Sequence, residues 1–344
     1  MEVFGSVFFG VDRLGLGVED AGMPITGPSS YPATVDDFLS HWASVNEGLG
    51  AYPLLLPEGT ARADLTALSV ELEEARGEVS DRGTDRELAR AALDEKIAVL
   101  QARLVEFNAR VRGDLPGHKL ADVLPAAFTV GEAEDVVRDA LRKMEYVWQK
   151  VNAISPAPPG VTLSYVLGGD YALAGFSADR AALRALYTAL SQAEVDLGLA
   201  RAGRNAVQER IYPVLKSYRL KITGMGREHA DWAETLPRLT PEQGRTPAAV
   251  PATVVWDTAS GQAKITWPAS TEADLDQYEL RGVAGDAYNG DDESVVASVP
   301  AGGTREVFTT FALSTPGLTA GFKVYVMLTT GNEKGSEPVY VTRP

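Results

Sequence analysis

The sequence of 344 residues contains no cysteine and only three histidines. The missing cysteine excludes a disulfide framework, a thiolate nucleophile and a zinc site with cysteine ligands. A catalytic metal centre rich in histidine would need nearly all three histidines. No stretch reaches the roughly 20 apolar residues of a membrane span. We therefore predict no membrane insertion, no metal site and no cofactor.

Positive charge is also scarce, because 32 lysines and arginines face 47 acidic residues and give a net charge of -15. Such a chain lacks the positive field that nucleic acids attract. Residues 1–18 do not predict a signal peptide, since Glu2 comes first and Gly5, Gly10 and Asp12 interrupt the apolar run. We expect a soluble protein; a cytoplasmic, a phage-associated and a processed extracellular location all fit this sequence.

The first 33 residues combine an apolar segment with a connector rich in glycine, proline and serine. The segment suits a β-strand with apolar side chains on both faces. Such a strand either packs on its own domain or inserts into a neighbouring subunit by strand addition. We expect self-assembly through the neighbour, with these interaction residues: Val3, Phe4, Val7, Phe8 and Phe9.

The region of residues 34–236 contains an internal repeat. Four patterns recur in the same order: residues 42–46 as 148–152, residues 63–68 as 178–183, Gly113 and His118 as Gly224 and His229, and Leu124-Pro125 as Leu236-Pro237. Each match is short, but their common order predicts a duplication. We place repeat 1 at about residues 34–125 and repeat 2 at about 131–237.

Each repeat predicts a shorter helix followed by a long helical hairpin. In repeat 1, Thr34 caps the first helix, and a turn at residues 81–84 separates helices 61–80 and 85–112. In repeat 2, we expect a helix over residues 131–153 and a hairpin over 178–223 that is kinked at Pro213. The two hairpins would pack into a duplicated helical bundle with an approximate two-fold axis.

The pattern changes to all-β character near the C-terminus. Four prolines in residues 237–251 predict a semi-rigid linker over 237–250. Beyond it, apolar and polar residues alternate; Tyr278 and Leu280, for example, alternate with Glu279 and Arg281. About seven short strands over residues 251–344 predict an immunoglobulin-like β-sandwich.

Several motifs of this region resemble a bacterial fibronectin type III domain. They are Gly261 before the strand that ends at Trp267, residues 274–280, and the closing Gly331-Asn332-Glu333 with Ser336 and Pro338. The resemblance covers about residues 248–344 and implies a spacer or interaction module without catalytic residues. Phe322 stands at the position of the family's tyrosine corner. The duplicated helical region resembles no family of known function.

Two sets of polar residues are candidate functional sites. His118 and His229 each follow a glycine that ends a long helix, where a histidine can cap the last carbonyls. We predict that His118 and His229 are such helix caps. The alternative is that the two histidines form a symmetric functional pair. The loop from Asp286 to Glu293 concentrates oxygen ligands suited to calcium but lacks EF-hand spacing. We predict a solvated loop there.

These patterns favour a non-enzymatic structural or interaction protein, in which a helical scaffold displays a fibronectin-like module. Its partner would be a protein, including a second copy of the chain. The alternative is a carbohydrate-binding or cell-surface adhesion protein that contacts glycans through Trp256 or Tyr288. A third interpretation is an enzyme with its site in the loops beside the bundle. We predict no catalytic residue.

Overall fold

The computed structural model describes residues 24–158, 161, 164–226 and 229–344. Within these residues six α-helices form an N-terminal helical region: α1 Tyr31–Leu49, α2 Arg62–Asp114, α3 Lys119–Asp122, α4 Glu134–Asn152, α5 Leu173–Thr223 and α6 Ala230–Glu234. A small antiparallel pair, β1 Val166–Leu167 and β2 Tyr171–Ala172, precedes α5. The predicted N-terminal strand with Val3, Phe4, Val7, Phe8 and Phe9 lies outside the described residues.

The two predicted hairpins are wrong, because each is one uninterrupted helix. α2 has 53 residues, about 80 Å, and continues through residues 81–84. One glycine costs a helix only about 1 kcal/mol relative to alanine, and no proline is present there. Thr84 Oγ1 donates to the carbonyl of Ser80 at 3.1 Å, so this turn is bonded within the helix. α5 has 51 residues and continues through Pro213.

The two long helices are antiparallel neighbours. Lys96 in the second half of α2 pairs with Asp179 near the start of α5 at 3.0 Å. At the other end, Glu71 pairs with Arg210. A third helix packs against this pair at each end, so the described residues form two three-helix packings joined by the long helices, where the sequence predicted a four-helix bundle.

Each end has its own apolar core. The Trp42 end joins α1 to the start of α2 and the last part of α5, and its buried residues include Phe38, Trp42, Leu65, Leu72, Leu215 and Tyr218. The Trp148 end joins α4 to the last part of α2 and the start of α5, and its buried residues include Leu104, Phe107, Val147, Trp148, Tyr165 and Phe176. The predicted apolar stripe of α2, from Leu93 to Val111, faces this second core.

The C-terminal region contains antiparallel β-sheets. Its strands are β3 Thr253–Asp257, β4 Gln262–Thr266, β5 Leu275–Ala284, β6 Ser294–Pro300, β7 Glu306–Thr309, β8 Thr319–Leu328, β9 Glu333–Gly335 and β10 Val339–Thr342. One sheet has the order β3-β4-β7; the other has the order β10-β8-β5-β6, with β9 also paired to β8. Side chains of both sheets form one apolar cluster, which is consistent with the predicted β-sandwich. Trp267 belongs to it and is 6% exposed.

Two predicted boundaries shift in the structure. α1 begins at Tyr31, three residues before the predicted cap, because Pro32 favours a first helical turn. Thr34 lies inside the helix, where its hydroxyl donates to the carbonyl of Ser30 at 3.0 Å. The segment predicted as a linker has no regular structure, but it buries Leu239 and Val250.

None of the helices in the described ranges combines the length and apolar character needed to cross a bilayer.

Candidate functional site

The C-terminal sheets contact the middle of the two long helices, where the helices have little apolar packing of their own. In the described residues this central cluster consists of Val79, Leu197 and Ala200. The end of β5 comes close to α2, since a Cβ on Gly83 would lie 3.6 Å from the Cβ of Ala284. We call the contact between these helices and residues 281–294 the junction.

Two arginines of α5 hold the loop that follows β5. Arg201 Nε donates to Asp292 Oδ1 at 2.6 Å, and its Nη2 donates to the second carboxylate oxygen. Arg204 is 4% exposed, and its Nη1 donates to the carbonyl of Asp291. Burial lowers the pKa of Arg204, and the charge of Asp292 opposes this shift. A two-pronged arginine-carboxylate pair fixes orientation as well as distance.

Behind this contact, Arg281 of β5 is surrounded by three carboxylates. Its guanidinium donates to Glu279 at 2.8 Å, to Glu293 at 2.8 Å and to Glu333 at 2.5 and 3.0 Å. Arg281 is 1% exposed, and its guanidinium carbon lies 3.9 Å from the ring centre of Tyr325. Burial raises the pKa of Glu279, although the nearby guanidinium opposes the shift.

Glu293 connects this cluster to the helical region. Its Oε2 accepts hydrogen bonds from the hydroxyls of Tyr288 and Tyr325, each at 2.9 Å. Its Oε1 accepts from Ser29 Oγ at 3.2 Å, just before α1. Burial and then the charge of Glu293 raise the pKa of Tyr288. Arg281 and its three carboxylates all belong to the C-terminal sheets, so this network reaches the helical region through the Ser29 hydrogen bond.

A small cavity of about 50 Å³ lies within the junction. Its apolar wall comes from both regions and includes Val79, Leu197, Val283 and Phe311. Its charged side chains are Arg76, Arg86, Arg201, Arg204, Asp292 and Glu293. The site therefore gathers four guanidinium groups around one small space.

The structure separates the two histidines that the repeat aligned. His118 precedes α3, where its ring accepts a hydrogen bond from the amide of Leu120 at 3.1 Å. It therefore caps the start of a short helix, not the end of a long one as predicted. His229 stacks on Trp232, with ring centres 3.9 Å apart. The two histidines make different contacts and do not form a symmetric pair.

The loop of residues 286–293 is not simply solvated, because Asp292 and Glu293 are ion-paired at the junction. In the described residues no group of three or more His, Asp or Glu side chains is arranged to hold a metal ion. The aromatic side chains considered for glycan contact are engaged within the protein. Tyr288 binds Glu293, and the guanidinium of Arg343 lies 5.7 Å from the ring centre of Trp256.

Sequence reasoning missed Arg201 and Arg204 at the junction, and the pair of Arg281 with Glu333 behind it. The alternation in β5 places Glu279 and Arg281 on the face opposite Tyr278 and Leu280. The groups that cover it, Ser29, Glu293 and Glu333, are distant in sequence, so no local pattern could reveal them. The one available signal was a pair of opposite charges two residues apart in a central strand.

No protein-family description matches the chain, and no curated protein matches it. Solved structures match only over part of their length. A pectate lyase from Erwinia chrysanthemi, solved with tetragalacturonic acid, is 19% identical over 27% of this chain and 28% of that chain, with a TM-score of 0.23. The spore cortex lytic enzyme of Clostridium perfringens is 15% identical over 30% and 29%, with a TM-score of 0.22. A human FNIII domain is 24% identical over 29% of this chain and 81% of that chain, with a TM-score of 0.24.

These matches correct one expectation. The sequence predicted that the protein is not an enzyme, whereas the matched structures include a pectate lyase and a spore cortex lytic enzyme. The chain spans under a third of the length of these two enzymes, and the TM-scores assign neither activity to it.

Proposed function

We propose that the protein is an interaction scaffold in which two helices about 80 Å long carry a sheet module at their middle. The observation that supports this proposal is the junction, where Arg201 and Arg204 of α5 hold Asp291 and Asp292 of the loop after β5. A module held in this way has a fixed direction relative to both ends of the helices. Binding through such surfaces, with proteins as partners, is the activity we infer.

The two ends of the helical region are, in this proposal, copies of one duplicated unit. Asn46 Oδ1 accepts from the amide of Leu54 at 2.8 Å, and Asn152 Oδ1 accepts from the amide of Tyr165 at 2.8 Å. Both asparagines end the repeated pattern of residues 42–46 and 148–152. In the first Leu-Pro pattern, the carbonyl of Pro125 accepts a hydrogen bond from α2. In the second pattern, the carbonyl of Pro237 accepts one from α5. Equivalent contacts at equivalent repeat positions support a common origin.

We infer that the C-terminal sheets form a fibronectin type III-like module. Eight strands in two antiparallel sheets around one core support this inference. Phe322, at the position of the tyrosine corner, is fully buried and lies edge-on to Phe311 with ring centres 6.3 Å apart. Apolar packing replaces the hydroxyl bond of that corner.

Self-assembly through Val3, Phe4, Val7, Phe8 and Phe9 completes the proposal. The described chain starts at Pro24, whose ring lies close to Gly331. A Cβ added at Gly331 would lie only 2.5 Å from Pro24 Cγ. In the C-terminal sheets, the strands β3, β6 and β7 are among those that end their sheets. An edge strand has unpaired backbone groups that a strand from a second copy can complete.

Size-exclusion chromatography with light scattering tests the assembly. The full chain should form an oligomer at high concentration, and deletion of residues 1–20 should yield a monomer with unchanged helix content. Leu199→Ser is the matched control, since it removes an apolar side chain that is 67% exposed on α5 and should leave the oligomer intact. A monomeric full chain, or a deletion that changes stability and not mass, would refute self-assembly through this segment.

A further inference from the structure

We propose that the junction cavity binds a small tetrahedral oxyanion such as inorganic phosphate. The side chains that would hold it are Arg76 of α2 with Arg201 and Arg204 of α5, all of which line the same space. Because the two helices supply guanidinium groups from different directions, they can surround an anion between them.

The walls of the cavity carry more positive than negative charge. Arg86 is neutralised by Glu87 at 2.8 Å. Arg201 and Arg204 share the carboxylate of Asp292, and the distance from Arg204 Nη1 to Asp292 Oδ1 is 3.9 Å. The remaining wall carboxylate, Glu293, is bound to Arg281. The residues that line the cavity thus include four arginines and two carboxylates, in a chain whose net charge is -15.

Arg76 is the cation without a carboxylate of its own. Among the described residues its side chain makes no hydrogen bond and no ion pair. Burial and then the charge of Arg204 lower the pKa of Arg76, and Glu73 on the same helix opposes this shift. A negative group between Arg76 and Arg204 would remove their mutual repulsion.

The size of the cavity matches the proposed ligand. One water molecule needs about 10–15 Å³ of such space, so about 50 Å³ accommodates a group of about three to five non-hydrogen atoms. A tetrahedral oxyanion has five. The apolar wall formed by Val79, Leu197 and Phe311 strengthens its attraction to the guanidinium groups, because charges interact more strongly away from water.

Isothermal titration of the full chain with sodium phosphate, in chloride buffer at constant ionic strength, tests this site. We expect saturable binding of one phosphate per chain. Arg76→Gln should weaken it about tenfold or more, since a hydrogen bond to a charged group is lost. Arg82→Gln removes the same charge from an exposed position of the same helix, paired with Glu78 and Asp85, and should change affinity less than about twofold.

Arg76→Lys keeps the charge and loses the planar fork, so it should bind phosphate with intermediate affinity. If circular dichroism shows that Arg76→Gln does not fold, the phosphate affinity of Arg76→Lys is the test of the site. Absence of saturable binding by the unmodified chain would overturn the proposal, as would equal affinities in the Arg76 variants and the Arg82→Gln control.

Discussion

The Trp42 end and the Trp148 end share an apolar frame and differ in their polar groups. Trp42 packs on Tyr218 with ring centres 4.7 Å apart, and Trp148 packs on Phe107 at 5.2 Å. At the Trp148 end, the indole NH donates to the carbonyl of Tyr165 at 2.9 Å. Trp42 Nε1 has no hydrogen-bond partner among the described residues. Apolar packing therefore carries the common arrangement, while hydrogen bonding is particular to each end.

The largest expected effect comes from the two tryptophans. Trp42→Ala and Trp148→Ala should each lower the free energy of unfolding by about 3–5 kcal/mol, because both side chains are fully buried. Urea unfolding followed by circular dichroism measures this. In the milder variants Trp42→Phe and Trp148→Phe, the loss of unfolding free energy should be about 1 kcal/mol larger for Trp148→Phe, because only Trp148 loses a hydrogen bond. Equal losses in the phenylalanine pair would show that the indole NH groups are equivalent.

The two asparagines should give smaller and similar effects. Asn46→Ala and Asn152→Ala each leave a loop amide without its acceptor, which costs about 1–3 kcal/mol. Urea unfolding of the two variants provides the values. A loss at one end and none at the other would contradict the shared frame.

The smallest effect should be a pH dependence confined to the Trp42 end. His41 Nδ1 lies 2.6 Å from the hydroxyl of Tyr218, and its Nε2 lies 3.0 Å from the carbonyl of Trp232. Burial lowers the pKa of His41, and the bond to Trp232 opposes the shift. An unfolded histidine has a pKa of about 6.5. The neutral ring thus contributes its full stability above that pH.

As the pH falls below about 6.5, His41 binds a proton in the unfolded chain but not in the folded one. The free energy of unfolding therefore decreases until the pH reaches the lowered pKa of folded His41. Unfolding free energies measured between about pH 7 and pH 5 should show this loss. His41→Gln should reduce the acid dependence, and His118→Gln, at an exposed position, should leave it unchanged. An acid dependence that persists in full in His41→Gln would exclude His41 as its source.

Periodicity predicted much of the helical region and little of the candidate site. The apolar stripe from Leu93 to Val111 and the switch to alternation near residue 253 both correspond to observed elements. The turn predicted at residues 81–84 was wrong because one glycine without a proline does not end a helix. The burial of Arg281 had no local signal, since its partners Glu293 and Glu333 come from other loops and strands.

In the proposed scaffold, the C-terminal sheets are fixed to the middle of the helices and do not move freely on the proline-rich segment. Because the chain has no cysteine, spin labels can be attached at Leu199→Cys on α5 and Ala259→Cys in the turn between β3 and β4 without further changes. The distance between them is measured by double electron-electron resonance. We expect one narrow distribution in the otherwise unmodified chain. It should broaden in Asp292→Asn, which breaks the pairs with Arg201 and Arg204, and stay narrow in the exposed control Asp286→Asn. A broad distribution in the unmodified chain, or a narrow one that Asp292→Asn leaves unchanged, would contradict this arrangement.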